Sequence, residues 1–236
     1  YANCTMTQTQ TNSGYTADAE WDEQTLIRTF DENGDMITES TDEDSDGTPE
    51  EQLMNVRDTE RRIIEQSIDS DGDGVYESVY YITYSVDEQY DTIEVDLDGD
   101  ALADILYSYT YDSEGNLTER SADLDMDGSA DQLTTWTYDA DNNLTSQIIV
   151  SSSGTTMYEL LQVWTATSDG GWEVVSSYDE DATGVYEFIV TTVYDSEELS
   201  QTQLQEVDTD EDGYPNYTVN VTYAYNSDSK LDTVTQ

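Results

Sequence analysis

The segment ILYSYTY at 105–111 places apolar and aromatic residues at alternate positions, and the turn residues Asp-Ser-Glu-Gly follow it. Alternation of this kind, carried by aromatic and β-branched side chains and bounded by turn residues, predicts a half-buried β-strand. Tyr107, Tyr109 and Tyr111 share one face of that strand. Tyr80, Ile82, Tyr84 and Thr134, Trp136, Tyr138 are their register mates in neighbouring copies, while Leu106, Val79 and Leu133 point the other way. The turn recurs as FDENGDM from Phe30, YDSEGNL from Tyr111, YDADNNL from Tyr138, YDSEEL from Tyr194 and YNSDSKL from Tyr225. Asp bonds its own backbone and Gly tolerates positive φ, so Asp-x-x-Gly after a strand predicts a hairpin. The aromatic stripe reads as packing between successive hairpins, with a carbohydrate-binding platform as the alternative, and Tyr in place of Phe fits a half-wet face.

A second marker keeps the same schedule. Acidic loops begin at Asp42, Asp69, Asp96 and Asp123, every 27 residues, and return at Asp179 and Asp208 after a degenerate copy, SSSGTTMYE, at 151–159. One unit, residues 96–122, is an acidic loop, the strand ILYSYTY, the turn DSEG and the strand NLTERSA. Each repeat is therefore a β-hairpin. The fold class expected is all-β: tandem hairpins of about 27 residues, stapled by their acidic loops and forming a coiled sheet or solenoid. A propeller is disfavoured because its blades need roughly 40 to 45 residues. Residues 1–19 read as an N-terminal arm and 20–236 as the repeat domain. In the arm, TMTQTQT at 5–11 alternates like a strand with no obvious partner in its own repeat, and YAYNSDSKLDTVTQ ends the sequence on a strand. An exposed strand edge is a template for another chain. The expectation is that the arm of one copy adds to the edge around 217–236 of the next, giving a head-to-tail fibre.

Charge changes the picture. The chain has 236 residues, 55 Asp plus Glu against 6 Lys plus Arg, no His, and a formal net charge of −49. Nucleic acid and anionic membranes are poor partners for such a polyanion. Acidic composition can signal disorder, but here aromatic and β-branched residues recur in order, which reads as folded. No apolar run is long enough for a membrane-spanning helix. The sequence starts at Tyr1 without Met, which fits a mature chain freed of a signal peptide and an extracellular or cell-surface location. The single Cys4 excludes an internal disulfide framework and leaves open an incidental residue, an intermolecular bridge or a lipid anchor.

The acidic loops carry the candidate chemistry. Carboxylates gathered at alternate positions of a tight loop repel one another unless a cation lies among them. Calcium accepts six to eight hard oxygen ligands, including a backbone carbonyl expected from the seventh loop position. Without His and with one Cys, the sequence offers zinc and softer metals no ligand set. The first expected site is Asp42, Asp44, Asp46 and Glu50; the second Asp69, Asp71, Asp73 and Glu77; the third Asp96, Asp98, Asp100 and Asp104. The fourth is Asp123, Asp125, Asp127 and Asp131. Two thinner sites follow: Asp179, Asp181 and Glu187, with Thr183 at the fifth position, and Asp208, Asp210 and Asp212, ending on Asn216. The loop at 151–159 keeps only Glu159.

These motifs resemble known families. YDSEGNL and YDADNNL are similar to the YD repeats of Rhs-type and teneurin-like shells, whose hairpins spiral into a continuous sheet. The loops resemble the Asp-x-Asp-x-Asp-Gly calcium loops of integrin-type repeats, dockerins and thrombospondin type 3 repeats. Together the resemblances cover about residues 20–236. The YD family does not usually carry an acidic loop in every repeat, so what the resemblance implies is a metal-stapled relative, a secreted surface fibre protein, rather than a toxin shell.

Asn-x-Thr sequons stand at Asn3, Asn116, Asn143, Asn216 and Asn220. In a secreted protein they read as glycan carriers on loop edges, or equally as Asn residues that cap a bend. An enzyme is not expected: there is no His, no phosphate-cradling loop and no nucleophile motif, and among 55 carboxylates mere proximity is uninformative. Three classes of function remain. The first is a structural subunit of a calcium-stabilised extracellular fibre or surface layer, with copies of itself as partners. The others are a calcium-dependent adhesin and a cell-surface stalk. The absence of a non-repetitive domain favours the first, and the one adhesive candidate is TATSDGGWEVVSSY at 165–178, with Trp172 beside Gly170 and Gly171.

Overall fold

The computed structural model describes residues 4–11, 23–43, 46–197, 199–210, 212–225 and 231–235, with backbone alone for strand residues 4–11, 23, 24 and 232. All regular structure among them is β, in 17 strands, and no described helix could cross a membrane. The chain forms two compact units, Tyr1–Ser108 with Ala122–Gly128, and Tyr109–Ser121 with Ser129–Gln236.

The first unit holds β1 (Cys4–Thr11), β2 (Glu23–Phe30), β3 (Met36–Asp42), β4 (Glu51–Arg57), β5 (Ile63–Asp69), β6 (Ser78–Tyr84), β7 (Tyr90–Asp96) and the start of β8 (Ile105–Tyr111). Each pairs antiparallel with the next. Strand β9 (Leu117–Asp123) divides between the units. The second unit continues with β10 (Gln132–Tyr138), β11 (Leu144–Ser151), β12 (Thr156–Ala166), β13 (Trp172–Asp179), β14 (Phe188–Tyr194), β15 (Ser200–Val207), β16 (Tyr217–Tyr225) and β17 (Leu231–Thr235), again paired in sequence. Tandem hairpins are thus the architecture that the alternating pattern predicts. Strand β1 is not left unpaired: it runs in register against β2, from Cys4 opposite Phe30 to Thr11 opposite Glu23.

The registers place side chains on faces. Tyr80 opposes Val95, Ile82 opposes Ile93, and Ile93 and Val95 in turn oppose Tyr107 and Ile105, so these residues line one face. In the second unit the corresponding row runs through Thr134, Trp136, Leu160, Val174 and Val207. In the first unit Val95 is buried, but so is Asn55 on its face; in the second Leu160, Val174 and Val207 are buried, but so are Thr134, Ser176 and Thr192 on theirs. The core is thin, and polar pairs interrupt it. Gln66 Nε2 donates to Asn55 Oδ1 at 3.0 Å and Gln162 Nε2 to Ser176 Oγ at 2.9 Å. Arg28 meets Glu39 at 2.5 Å in the equivalent place of the first hairpin. On the opposite face hydroxyls meet across strands, as in Thr29 with Thr38 at 2.6 Å and Thr83 with Thr92 at 2.7 Å.

At the turns, Asp112 Oδ1 accepts the N–H groups of Glu114 and Asn116, and the Gly115 N–H donates to the Asp112 carbonyl at 3.2 Å. Asp31, Asp58 and Asp139 do the same work in their turns. The fourth turn residue takes positive φ, whether Gly34, Gly115, Arg61, Glu88 or Asn142. The aromatic residue before the turn reaches back to the preceding hairpin. Tyr84 Oη donates to the Ile63 carbonyl at 2.8 Å and Tyr138 Oη to that of Leu117 at 2.9 Å; Trp164, two residues before the end of its strand, makes a similar bond from Nε1 to the Leu144 carbonyl at 2.8 Å. Burial holds the Tyr84 and Tyr138 phenols above their ordinary pKa. The segment around Trp172 is a packed hairpin end: Trp172 meets Trp164 edge-on at 6.4 Å, and a Cβ on Gly171 would stand 2.0 Å from the Tyr194 carbonyl oxygen.

Candidate metal centres

The first Asp of each acidic loop is fixed by the sheet. Asp42, Asp69, Asp96, Asp123 and Asp179 are the last residues of their strands, and all are buried along with Asp208. A buried carboxylate needs hydrogen-bond donors, and the loop's own backbone supplies them. Asp69 Oδ1 accepts the Gly72 N–H at 2.7 Å and Oδ2 the Gly74 N–H at 2.9 Å. Asp96 takes the N–H groups of Gly99 and Ala101 in the same way, at 2.7 and 2.8 Å. Burial pushes the Asp96 carboxyl up, but the N–H groups of Gly99, Ala101, Asp98 and Asp100 outweigh it and hold the group below the usual carboxylate range. The sixth-position N–H reaches Oδ2 of the first Asp at Gly47, Gly128, Gly184 and Gly213 as well.

The ninth residue closes the loop from the other side. Glu77 Oε2 accepts the Ser70 N–H at 2.7 Å, Asp104 Oδ2 that of Leu97 at 2.8 Å, and Glu187 Oε2 that of Glu180 at 2.8 Å. Glu50 takes the Glu43 N–H at 2.5 Å, and in the last loop Asn216 Oδ1 takes that of Thr209. These latches pull the first and ninth residues towards one centre.

The result is a set of convergent carboxylates. Asp69, Asp71, Asp73 and Glu77 each offer an oxygen within 4.8 Å of the others, the complete second set expected from the sequence. Asp179, Asp181 and Glu187 converge likewise. In the first loop Asp42, Asp46 and Glu50 meet, while Asp44 lies outside the described residues. The third group is Asp96, Asp98 and Asp104. Asp100 is not among them, and its Oδ1 accepts the Leu102 N–H at 2.8 Å. The fourth group is Asp123, Asp125 and Asp127, with Asp131 falling in the second unit. In the sixth loop Asp212 Oδ1 takes the Tyr214 N–H and Asp210 Oδ1 the Asn216 amide, at 2.9 and 3.1 Å.

Among the described residues, the Asp123 and Glu187 carboxylates each have an oxygen with no hydrogen-bond donor. Asp123 is 8% exposed, and its Oδ1 is buried without a hydrogen-bond partner. Glu187 Oε1 is buried in the same condition. A carboxylate oxygen cut off from water and from N–H groups is unfavourable unless a cation meets it. The donor set, oxygen alone, fits a hard divalent ion.

The sequons divide. Asn116 Nδ2 donates to Asp112 Oδ2 at 3.0 Å and to Asn142 Oδ1 at 3.2 Å, and Asn143 Nδ2 donates to Asp139 Oδ2 at 3.0 Å. Both amides thus tie their turns. Asn216 is exposed but its amide is tied within the sixth loop, to Asp210 and Thr209; Asn220 is exposed, and Asn3 lies outside the described residues.

No family model matches the chain, and no curated protein matches it. Among solved structures it is similar to TcdB2-TccC3 without its hypervariable C-terminal region, at TM-score 0.49 and 13% identity over 96% of this chain and 12% of that one. It is similar to a porin-like protein from Bacteroides uniformis, at TM-score 0.40 and 12% identity over 96% and 85% of the two chains. A third is the Photorhabdus luminescens Tc holotoxin pore, at TM-score 0.33 and 11% identity over 98% and 17%. The chain spans about an eighth of the length of the first of these.

Proposed function

We propose that this chain is a calcium-stapled β-hairpin ladder serving as a structural subunit outside the cell. The observation that carries the reading is the buried, donorless Oδ1 of Asp123, beside Asp125 and Asp127 in a loop built like its neighbours. Bound calcium would supply the positive charge that lets these carboxylates stay together. The chain's own part is to hold the first Asp on a strand end, set alternate carboxylates with positive-φ residues, and latch the ninth residue to the second.

An extracellular or cell-surface location belongs to the same reading. Exposed loops of this kind match extracellular modules, with dissociation constants around 10⁻⁴ to 10⁻³ M, which cytosolic calcium would leave empty. Assembly of copies head to tail is the finer part of the proposal. Strand β1 pairs with β2 and β17 with β16. A strand edge left open on either would accept a further strand by edge addition, from the same polypeptide or from another copy.

The test is a thermal melt and limited proteolysis with chelator and with millimolar calcium, followed by light scattering. The expected outcome is a higher Tm, slower cleavage in the acidic loops and calcium-dependent growth of particles. Identical melts would remove the calcium assignment; a monomer at high concentration in calcium would remove the fibre and leave the stapled ladder.

A further inference from the structure

The first three acidic loops are stacked backbone on backbone. A Cβ built on Gly72, the fourth residue of the second loop, would stand 1.9 Å from the Pro49 carbonyl oxygen and 3.0 Å from the Glu50 Cα of the first loop. One repeat later, a Cβ on Gly99 would stand 2.4 Å from the Tyr76 carbonyl oxygen of the second loop. In both places the eighth residue of one loop lies under the fourth residue of the next. Those two residues adjoin ligand positions: Glu50 and Glu77 follow the carbonyls, and Gly72 and Gly99 lie between Asp71 and Asp73 and between Asp98 and Asp100. Met126 and Ala182 hold the fourth position in later loops, so the glycine-sealed stack covers the first three.

We infer that the first three loops bind calcium as one coupled block, each ordered loop forming the backing against which the next one closes. The inference rests on the calcium reading above and names how those sites are regulated. Closing one loop draws in its ninth residue, and with it the eighth-position carbonyl. That carbonyl is the surface on which the following loop must set its third and fifth ligands. Nearest-neighbour stacking of repeats is the setting in which such coupling is transmitted.

Charge opposes the coupling, and its size can be bounded. Neighbouring hairpins repeat about every 10 Å, and at physiological salt two divalent ions at that spacing weaken each other by roughly twofold at the dielectric constant of water and by on the order of 25-fold at that of a protein surface. Structural couplings are typically roughly 5- to 150-fold. A backbone contact in the upper part of that range outweighs the repulsion and makes binding within the block positively cooperative.

Hydrogen exchange followed by mass spectrometry on the full chain tests this, with chelator and with 1 mM calcium as an order-of-magnitude working concentration. In the wild type every acidic loop is expected to gain protection with calcium. In the double variant Asp71→Asn, Asp73→Asn, which lowers repulsion in the second loop and so keeps the fold, that loop loses its gain. The gain in the first and third loops should fall by more than about fivefold, while the Asp179 loop keeps its own. Full gain in the first and third loops would overturn the coupling and leave the calcium sites standing. No gain in any wild-type loop would remove the calcium reading, and the coupling with it. Gly72→Ala, which the Pro49 carbonyl cannot accommodate unmoved, should flatten the calorimetric calcium isotherm towards independent sites; an unchanged isotherm in a folded variant would also overturn the coupling.

Discussion

At the scale of single residues, the fourth turn position shows what conformational strain is worth. Gly34 has φ +84 with nothing within 4 Å of a built Cβ, while Glu88 fills the equivalent place at φ 64. Left-handed backbone costs an L-residue about 1 to 2 kcal/mol, partly offset by the greater freedom of Gly in the unfolded chain. Gly34→Ala should therefore destabilise by about 1 kcal/mol, and Glu88→Gly should stabilise by about 0.5 to 1 kcal/mol. Urea denaturation of the pair checks both signs, and equal signs would refute the account. Asp112 makes the same turn sensitive to pH. The Asn116 amide, helped by backbone N–H groups that outweigh burial, holds its carboxyl below the usual range. A depressed folded pKa gives stability that is present above the unfolded value, near 3.9, and is lost as pH falls through the folded one. Asp112→Asn should lower the Tm at pH 7 in chelator, and the gap to the wild type should close as pH falls below about 4. A gap that stayed constant to pH 3 would assign the loss to shape rather than charge.

At the scale of elements, strands and turns were legible because their signals are local. Alternation marked β8 at its own bounds, and Asp-x-x-Gly marked the turn through a side chain that bonds its own backbone. What remained hidden depends on where the chain returns. Asp96 reads as a loop residue, yet it ends β7 opposite Val79, because four loop N–H groups make its burial tolerable. The latch from Glu77 to Ser70 and the failure of Asp100 to join its group are likewise products of loop conformation, which spacing alone does not fix. Arg57 occupies the pre-turn place of Tyr84 and Tyr138, with Nη1 donating to the Arg61 carbonyl at 2.8 Å, so a cation replaces the ring in one repeat. The aromatic marker proves to be an anchor between hairpins rather than apolar filling alone. Tyr138→Phe keeps the ring and removes only the bond to Leu117. It should cost about 1 kcal/mol, read as a lower urea midpoint with unchanged m-value. A Phe as stable as Tyr would mean that the hydroxyl contributes nothing.

At the scale of the whole molecule, a net charge of −49 makes any salt stabilising, so stabilisation by calcium must be separated from screening. Screening depends on ionic strength and not on which ion supplies it. Occupancy depends on the ion. At millimolar calcium, a site with a dissociation constant near 10⁻⁴ M adds about 1.4 kcal/mol to folding, and several sites filled together should raise the Tm by on the order of 10 °C or more. Magnesium is smaller, demands octahedral geometry and sheds water reluctantly, so a group such as Asp69, Asp71, Asp73 and Glu77 should hold it less well. Melts at matched ionic strength should therefore rank calcium above magnesium and magnesium above sodium. The calcium gain should shrink in Glu77→Gln, which keeps an acceptor for the Ser70 N–H and weakens the ligand. If sodium chloride at equal ionic strength raises the Tm as far as calcium does, the acidic loops are only solvated turns, and the regular spacing of carboxylates would need another cause.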